Sequence, residues 1–300
     1  MMGELLAQAV KNGQFIVTAE CTPPRGAGVD GLKACAAALK DSVHALYVPQ
    51  NEDGVRLASL AACSHIAQAG AEPVMALLTR DLNRIALQSA LLGAASMGIK
   101  NVLCTTGRHQ TLTSAGSAKG VFDIDPVQLL MVADSLRKEG KLADGGSIDA
   151  PVDLLLGTDT NPFAEPLELN VIMLQKAVDA GADFVITTPV FNLDRFNIWM
   201  SYVRERGLHQ KACIIASVKP LSSAQEAIAL SEKNNTIDIT DDIVDRLQTA
   251  QDQKAAGIHL ANETVAYLKK VDGVRGVHLM TGTNFDLAAE IIKTNGLSKS

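Results

Sequence analysis

Aromatic side chains are scarce, at 4% of the chain with a single tryptophan, so any large core must be aliphatic. The 47% hydrophobic content supplies one. No run of about 18 apolar residues occurs, which argues against a membrane-spanning helix. Clusters of lysine and arginine are missing and the formal net charge is −6, so neither nucleic acid nor an anionic membrane is expected as a partner. The opening Met-Met-Gly-Glu-Leu-Leu lacks the basic-then-apolar pattern of a secretory leader. The five cysteines (Cys21, Cys35, Cys63, Cys104 and Cys213) are odd in number, scattered and free of any Cys-x-x-Cys pair. That excludes a disulfide frame and a zinc site of the usual spacing, so reduced thiols, no metal and a cytoplasmic location are expected.

What is present is organised around residues 15–26. Phe15, Ile16, Val17 and Thr18 have the β-branched and apolar character of a buried strand, which ends in the carboxylate of Glu20. Pro23 and Pro24 lack N–H donors and force the chain out of a sheet. Glu20 therefore belongs at the C-terminal end of a buried strand, where parallel α/β folds carry their chemistry.

Further strands are expected at 44–49, 73–78, 101–107, 152–158, 182–189, 212–218 and 276–281, with a surface loop at 140–151. Helical stretches separate most of them, and 222–271 holds more than one helix. Eight strands alternating with helices imply right-handed parallel βαβ units. Over 300 residues without a linker they predict an α/β fold, one (β/α)8 TIM barrel spanning 1–300 as a single catalytic domain.

Gly26-Ala-Gly28-Val-Asp-Gly31 matches the dinucleotide-binding pattern on paper. The pattern needs its first glycine directly off the strand, so that a pyrophosphate rests on the helix N-terminus. Here Glu20 and Thr-Pro-Pro-Arg intervene, and a plain loop into the first helix of the barrel is the better reading.

Several segments taken together carry a resemblance. They are Thr-Ala-Glu20-Cys-Thr-Pro-Pro, Leu-Thr79-Arg80-Asp81-Leu-Asn83-Arg84, Gly98-Ile-Lys-Asn-Val-Leu-Cys104-Thr-Thr-Gly107 and Val121-Phe122-Asp123. Later come Asn161-Pro162-Phe163-Ala164, Lys176-Ala-Val-Asp-Ala-Gly181, Val190-Phe191 and Gly276-Val-His278-Leu-Met. In this order the chain resembles the methylenetetrahydrofolate reductase family, in particular its short bacterial members. The resemblance implies a flavin-bearing barrel, with FAD (or FMN) bound non-covalently. It also implies a folate-type substrate in one-carbon metabolism and methionine biosynthesis. NAD(P)H or another electron donor would recharge the flavin, with a partner subunit or electron-transfer protein and homo-oligomerisation among the expectations.

Residue by residue, the resemblance makes Glu20 the general acid that protonates a folate nitrogen. It assigns Thr79, Arg80, Asp81, Asn83, Thr105, Thr106, Gly107, Phe122, Asn161, Asn170 and Lys176 to the flavin. Their bland alternatives are helix caps and loop polars, and for Glu20 an ion pair with Arg80. Two positions depart from the family. Arg108 stands where an Asp normally follows Thr-Gly beside the flavin; it either faces the ring, as a catalytic and cofactor-side residue that biases the enzyme toward methyl-folate oxidation, or turns outward to solvent or to a flavin phosphate. Thr188 stands where a Gln contacts the pterin; with Phe191 it completes the expected substrate contacts. These departures keep open a reductase-like subunit without turnover. An unrelated lyase or aldolase using Glu20 and Lys219 is the third reading. His278 reads equally as an acid–base group or a hydrogen-bonded barrel-interior histidine and His109 lies in a loop, so neither is assigned; Arg195, Arg204 and Arg206 read as a solvated helix face.

Overall fold

A computed structural model describes residues 4–233, 237–297 and 299; residues 234–236, inside the stretch expected to be helical, lie outside the described residues. Eight parallel strands close into a barrel in chain order. They are β1 (Ile16–Glu20), β2 (Ala45–Val48), β3 (Pro73–Leu78), β4 (Asn101–Thr105), β5 (Leu155–Thr160), β6 (Phe184–Pro189), β7 (Cys213–Val218) and β8 (Val274–Leu279). Closure is made by β8 pairing with β1, from Ile16 beside Gly276 to Ala19 beside Leu279.

Helix α1 (Leu5–Lys11) precedes the barrel; α2 (Asp30–Leu39), α3 (Ser59–Gln68), α4 (Arg84–Ser96), α5 (Pro126–Glu139), α6 (Leu167–Asp179) and α7 (Leu193–Glu205) follow successive strands. A short α8 (Leu208–Lys211) leads into β7, and α9 (Ala224–Lys233), α10 (Asp241–Thr249) and α11 (Gln253–Leu268) connect β7 to β8. Helix α12 (Phe285–Thr294) comes last. Asp125 caps α5 with a reciprocal Gln128 contact and Pro126 in the first turn, the combination that starts a helix abruptly.

The strands are apolar on both faces because both are covered. Outward side chains such as Val17, Leu46, Met75, Val102, Leu156, Val185, Ile214 and Val277 pack beneath the helices. Inward ones, including Ile16, Val74, Leu103, Phe184 and Ile215, fill the barrel. Gly157 makes room for the Phe184 ring, which would lie 2.2 Å from a Cβ at that position.

Helix α1 seals the floor. Its Leu6 and Ala9 join the inward cluster, and its first turn is capped from inside by Glu72, which accepts Leu5 N–H at 2.8 Å and Leu6 N–H at 3.1 Å. Asn101 Nδ2 donates to the same carboxylate at 2.8 Å.

Four sequence expectations need correction or detail. The fifth strand begins at Leu155, not 152, and runs to Thr160; Val152 and Leu154 are buried but approach the sheet as irregular chain. Among its described residues the 222–271 region forms three helices with a small core of their own around Leu221, Ala224, Ala227 and Leu247. Arg195 is not merely solvated: it reaches Asp238 at 2.7 Å, Glu165 at 2.6 Å and the Phe163 carbonyl at 3.0 Å. Gly26, Gly28 and Gly31 have nothing within 4 Å of where a Cβ would sit, so no close backbone approach requires them. Among the described residues no helix is long and apolar enough to cross a membrane, and no group of three metal-ligating side chains occurs.

Candidate active site

A cavity of about 780 Å³ opens at the C-terminal ends of the strands. In a closed parallel barrel, alternate residues of each strand point inward, and the last of these meet the cavity instead of the packed floor. On β1 that last inward residue is Glu20, on β2 Tyr47, on β4 Thr105, on β5 Asp159 and on β8 His278, and all five line the cavity.

Glu20 is 8% exposed. Burial, then the charge of Glu52, raises its carboxyl above the ordinary 4.5, against the Thr22 hydroxyl and the positive charges of Lys219 and Arg56. A carboxyl whose affinity for a proton is raised by burial is better suited to general-acid work than a solvated one. The alternative ion pair with Arg80 is absent: Arg80 forks onto Asp81 at 2.6 and 3.0 Å and donates to the backbone carbonyls of Asn51 and Arg108.

Asp159 shares the chamber. Its side chain is exposed to solvent through the open cavity. Burial raises its carboxyl, Glu52 adds to the rise, and a Thr105 hydrogen bond opposes it. Burial, followed by the charges of Glu52, Asp159 and Glu20, raises the Tyr47 phenol well above 10, so its hydroxyl stays protonated. The Tyr47 ring meets His278 edge-on, with centroids 5.3 Å apart. His278 Nδ1 lies 3.0 Å from Thr18 Oγ1, and burial lowers its value to about 3, so of its two sequence readings the structure favours the neutral interior histidine.

A register shift in β6 shapes the opposite wall. Ile186 pairs with Ile215 but Pro189 pairs with Ser217, so β6 carries one extra residue at its end. Bulges of this kind re-aim side chains. Thr188 thereby faces the cavity, and its hydroxyl donates to Asn161 Oδ1 at 2.9 Å.

Of the residues singled out from sequence, Glu20, Thr105, Gly107, Arg108, Asn161, Thr188, Lys219 and His278 line this one cavity. Gly107 sits at φ +74, with the Leu78 side chain 2.5 Å from any added Cβ, so glycine is required there. Thr79 is buried with its hydroxyl unpaired, Arg80 and Asp81 form the ion pair above, and Thr106 is half-buried outside the lining.

Asn83 is the cap of α4, accepting Ala86 N–H at 3.0 Å. Phe122 is exposed and stacks on His109. Asn170 donates to the Asn161 carbonyl and accepts from Trp199 Nε1, both at 2.8 Å, so both ends of its amide are committed. Phe191 packs on the small core between β7 and β8. Lys176 is exposed in the last turn of α6, a helix that starts at the cavity end and runs back toward the floor, and it does not line the cavity.

The donor set fits the ring portion of a flavin. The buried amide nitrogen of Asn161 and hydroxyl of Thr281, both in cavity-lining residues, have no partner among the described residues, and ring carbonyl oxygens or nitrogens would satisfy them. Arg108 and Lys219 are the cations lining the chamber, and Lys219 is already 3.4 Å from Glu226.

Asp159, Tyr47 and Ser217 were not foreseen. Ending the fifth strand at 158 hid Asp159, although inward alternation continued from Gly157 would have found it.

The model of a family described as methylenetetrahydrofolate reductase matches residues 5–296. A relative in Caenorhabditis elegans, described as a probable methylenetetrahydrofolate reductase (NADPH), is 24% identical over 84% of this chain. The match covers 36% of that protein, so the chain spans about a third of its length. Among solved structures, a Clostridium thermocellum protein described as binding two copies of 5-methyl-5,6,7,8-tetrahydrofolic acid matches with a TM-score of 0.66. The identity is 13%, over 96% of this chain and 99% of that one. A 2,3-dimethylmalate lyase matches with a TM-score of 0.54 at 14% identity, over 98% of this chain and 86% of that one. At such identities these structures share the fold alone.

Proposed function

The chain belongs to the methylenetetrahydrofolate reductase family, and from that premise we propose that it is a flavin-dependent oxidoreductase interconverting 5,10-methylenetetrahydrofolate and 5-methyltetrahydrofolate. One observation carries the reading. Glu20, at the end of β1, presents a carboxyl with a raised pKa to a chamber large enough for two stacked ring systems.

A flavin (FAD or FMN) bound there would supply the hydride, with NAD(P)H or another donor, such as an electron-transfer protein, restoring it. Asn161 and Thr281 offer the ring edge their unpaired donors, and Gly107 lets backbone approach it closely. Glu20 gives its proton to the folate nitrogen whose release opens the five-membered ring; in the reverse direction the carboxylate takes it back. Arg108, the cation beside Gly107, stabilises negative charge on a reduced ring and favours methyl-folate oxidation. Self-association belongs to the same proposal, supported by the exposed apolar side chains Leu169 and Met173 of α6 and Ile198 of α7.

A second reading is supported by Thr188, whose hydroxyl is already given to Asn161. A threonine so engaged offers a pterin less than a carboxamide does, as in a reductase-like subunit that binds a folate or other pterin within a complex without turnover.

The deciding experiment is anaerobic spectroscopy of the purified chain after incubation with FAD or FMN. Absorbance near 450 nm that bleaches with reductant and returns on adding 5,10-methylenetetrahydrofolate supports the enzyme. Bound folate without that return supports the subunit, and a chain that takes up neither overturns both.

A further inference from the structure

The cavity holds more acid than one proton transfer needs. Glu20, Glu52 and Asp159 line it together, against Arg108 and a Lys219 already paired with Glu226. Glu20 has the role described above. Asp159 has none, although it projects from the last inward position of β5.

The surroundings of Asp159 are built to hold an acceptor in place. The Thr105 hydroxyl, which lines the chamber with Asp159, accepts the Gly107 N–H at 3.1 Å, so its own proton is not used in that bond. The strand end is fixed by Asp159 pairing with Ile186 and Thr160 with Thr187. No cation pairs with the Asp159 carboxylate among the described residues, and the charge of Glu52 acts against it. Its remaining lone pairs meet the open chamber. Such a group lacks N–H donors, and two in parallel, spaced like the two oxygens of a carboxylate, match it best.

We propose that Asp159 is the residue that reads the pterin, its carboxylate accepting both the ring N3–H and the 2-amino group of the substrate's 2-amino-4-oxopyrimidine edge. The proposal rests on the folate reading above and adds a specificity determinant on β5, a strand from which no substrate contact was expected. It also accounts for Thr188: with the amino edge held from β5, the β6 wall needs no carboxamide to recognise it. The charge on this side of the chamber agrees, because the carboxylates of Glu20, Glu52 and Asp159 favour the donor-rich end of a heterocycle. Asn in place of Asp159 would keep the shape but turn an amide N–H₂ toward one of the ligand donors, leaving that pair unsatisfied.

The test is calorimetric binding of 5-methyltetrahydrofolate and of its 2-desamino-2-methyl analogue to the full chain and to Asp159→Asn. Wild type should bind the parent at least tenfold more tightly than the analogue, a comparison that needs no variant to fold. Asp159→Asn should weaken the parent at least tenfold and change the analogue less than twofold. Parent and analogue binding wild type alike, or the variant binding the parent as wild type does, overturns the role of Asp159 and leaves the folate reading standing. Wild type binding neither compound overturns both.

Discussion

Thr22 donates its hydroxyl to Glu20 Oε1 across 2.5 Å, against the burial and the Glu52 charge that raise the same carboxyl. That bond favours the ionised form, so it trims a shift that burial dominates. Folate reduction needs the proton on Glu20, and its rate should fall as pH rises through the raised value. Methyl-folate oxidation needs the carboxylate and should rise over the same range. Thr22→Val should move both limbs toward higher pH. Glu20→Gln should lower kcat in either direction by a factor on the order of 10²–10⁴ while the flavin remains reducible by its donor. Steady-state pH profiles and anaerobic half-reactions check each statement.

The same raised carboxyls bear on stability. Glu20 and Asp159 both favour the protonated form when folded. Their contribution is full below the ordinary carboxylate values of 4.5 and 3.8 and is lost as pH rises through the raised ones. Glu20→Gln and Asp159→Asn should therefore raise the melting temperature of the ligand-free protein at pH 7–8, on a scale of about 2–4 °C per kcal/mol, and leave it unchanged near pH 3. Scanning calorimetry at the two pH values decides.

Arg108 lines the chamber, and a cation there stabilises a reduced, anionic ring. Arg108→Asp should lower the flavin midpoint potential, each 1.4 kcal/mol of lost stabilisation appearing as about 30 mV. Because Arg108 is half-exposed, solvent screens the effect, and a drop of roughly 30–100 mV is expected in spectroelectrochemical titration. Equal potentials would show that its charge points away from the ring.

Glu72 is 7% exposed and satisfies three donors at the floor. Glu72→Ala strands those donors and should cost about 2–4 kcal/mol in urea denaturation while shifting KM for folate less than twofold. A large KM change would mean that the floor and the mouth are mechanically linked.

Lys176→Ala should leave bound flavin within about 20% of wild type, since that lysine lies outside the cavity lining. Arg80→Lys should do the opposite. A lysine cannot fork onto Asp81 while also holding the carbonyls of Asn51 and Arg108, so the loops after β2 and β4 lose their common tie. Faster proteolysis within 108–122 and weaker flavin retention are the expected readouts.

The strand ends were legible wherever apolar runs stop at a polar residue, as at Glu20 and at Thr105. They were illegible where the strand itself turns polar. Leu-Gly-Thr-Asp-Thr reads as the start of a loop because its inward positions face a cavity, and burial of apolar area no longer marks them. Local spacing also cannot reveal partners distant in sequence: Arg195 finds Asp238 43 positions away and Glu165 30 positions away. Lys176 stands outside the cavity lining for a third reason. A motif near a strand in sequence can ride a helix to the far end of the barrel, since thirteen residues of α6 at about 1.5 Å each span nearly 20 Å. Thr188 lines the cavity, but its orientation depends on an extra residue in β6 that the sequence does not announce.

The plugged floor has a kinetic corollary. With Leu6, Ala9 and the Glu72 cap closing one end, the chamber is a cul-de-sac, and whatever enters must leave before the next visitor arrives. An electron donor and a folate sharing that single doorway would give parallel lines in double-reciprocal plots, and each would act as a competitive inhibitor of the other at high concentration.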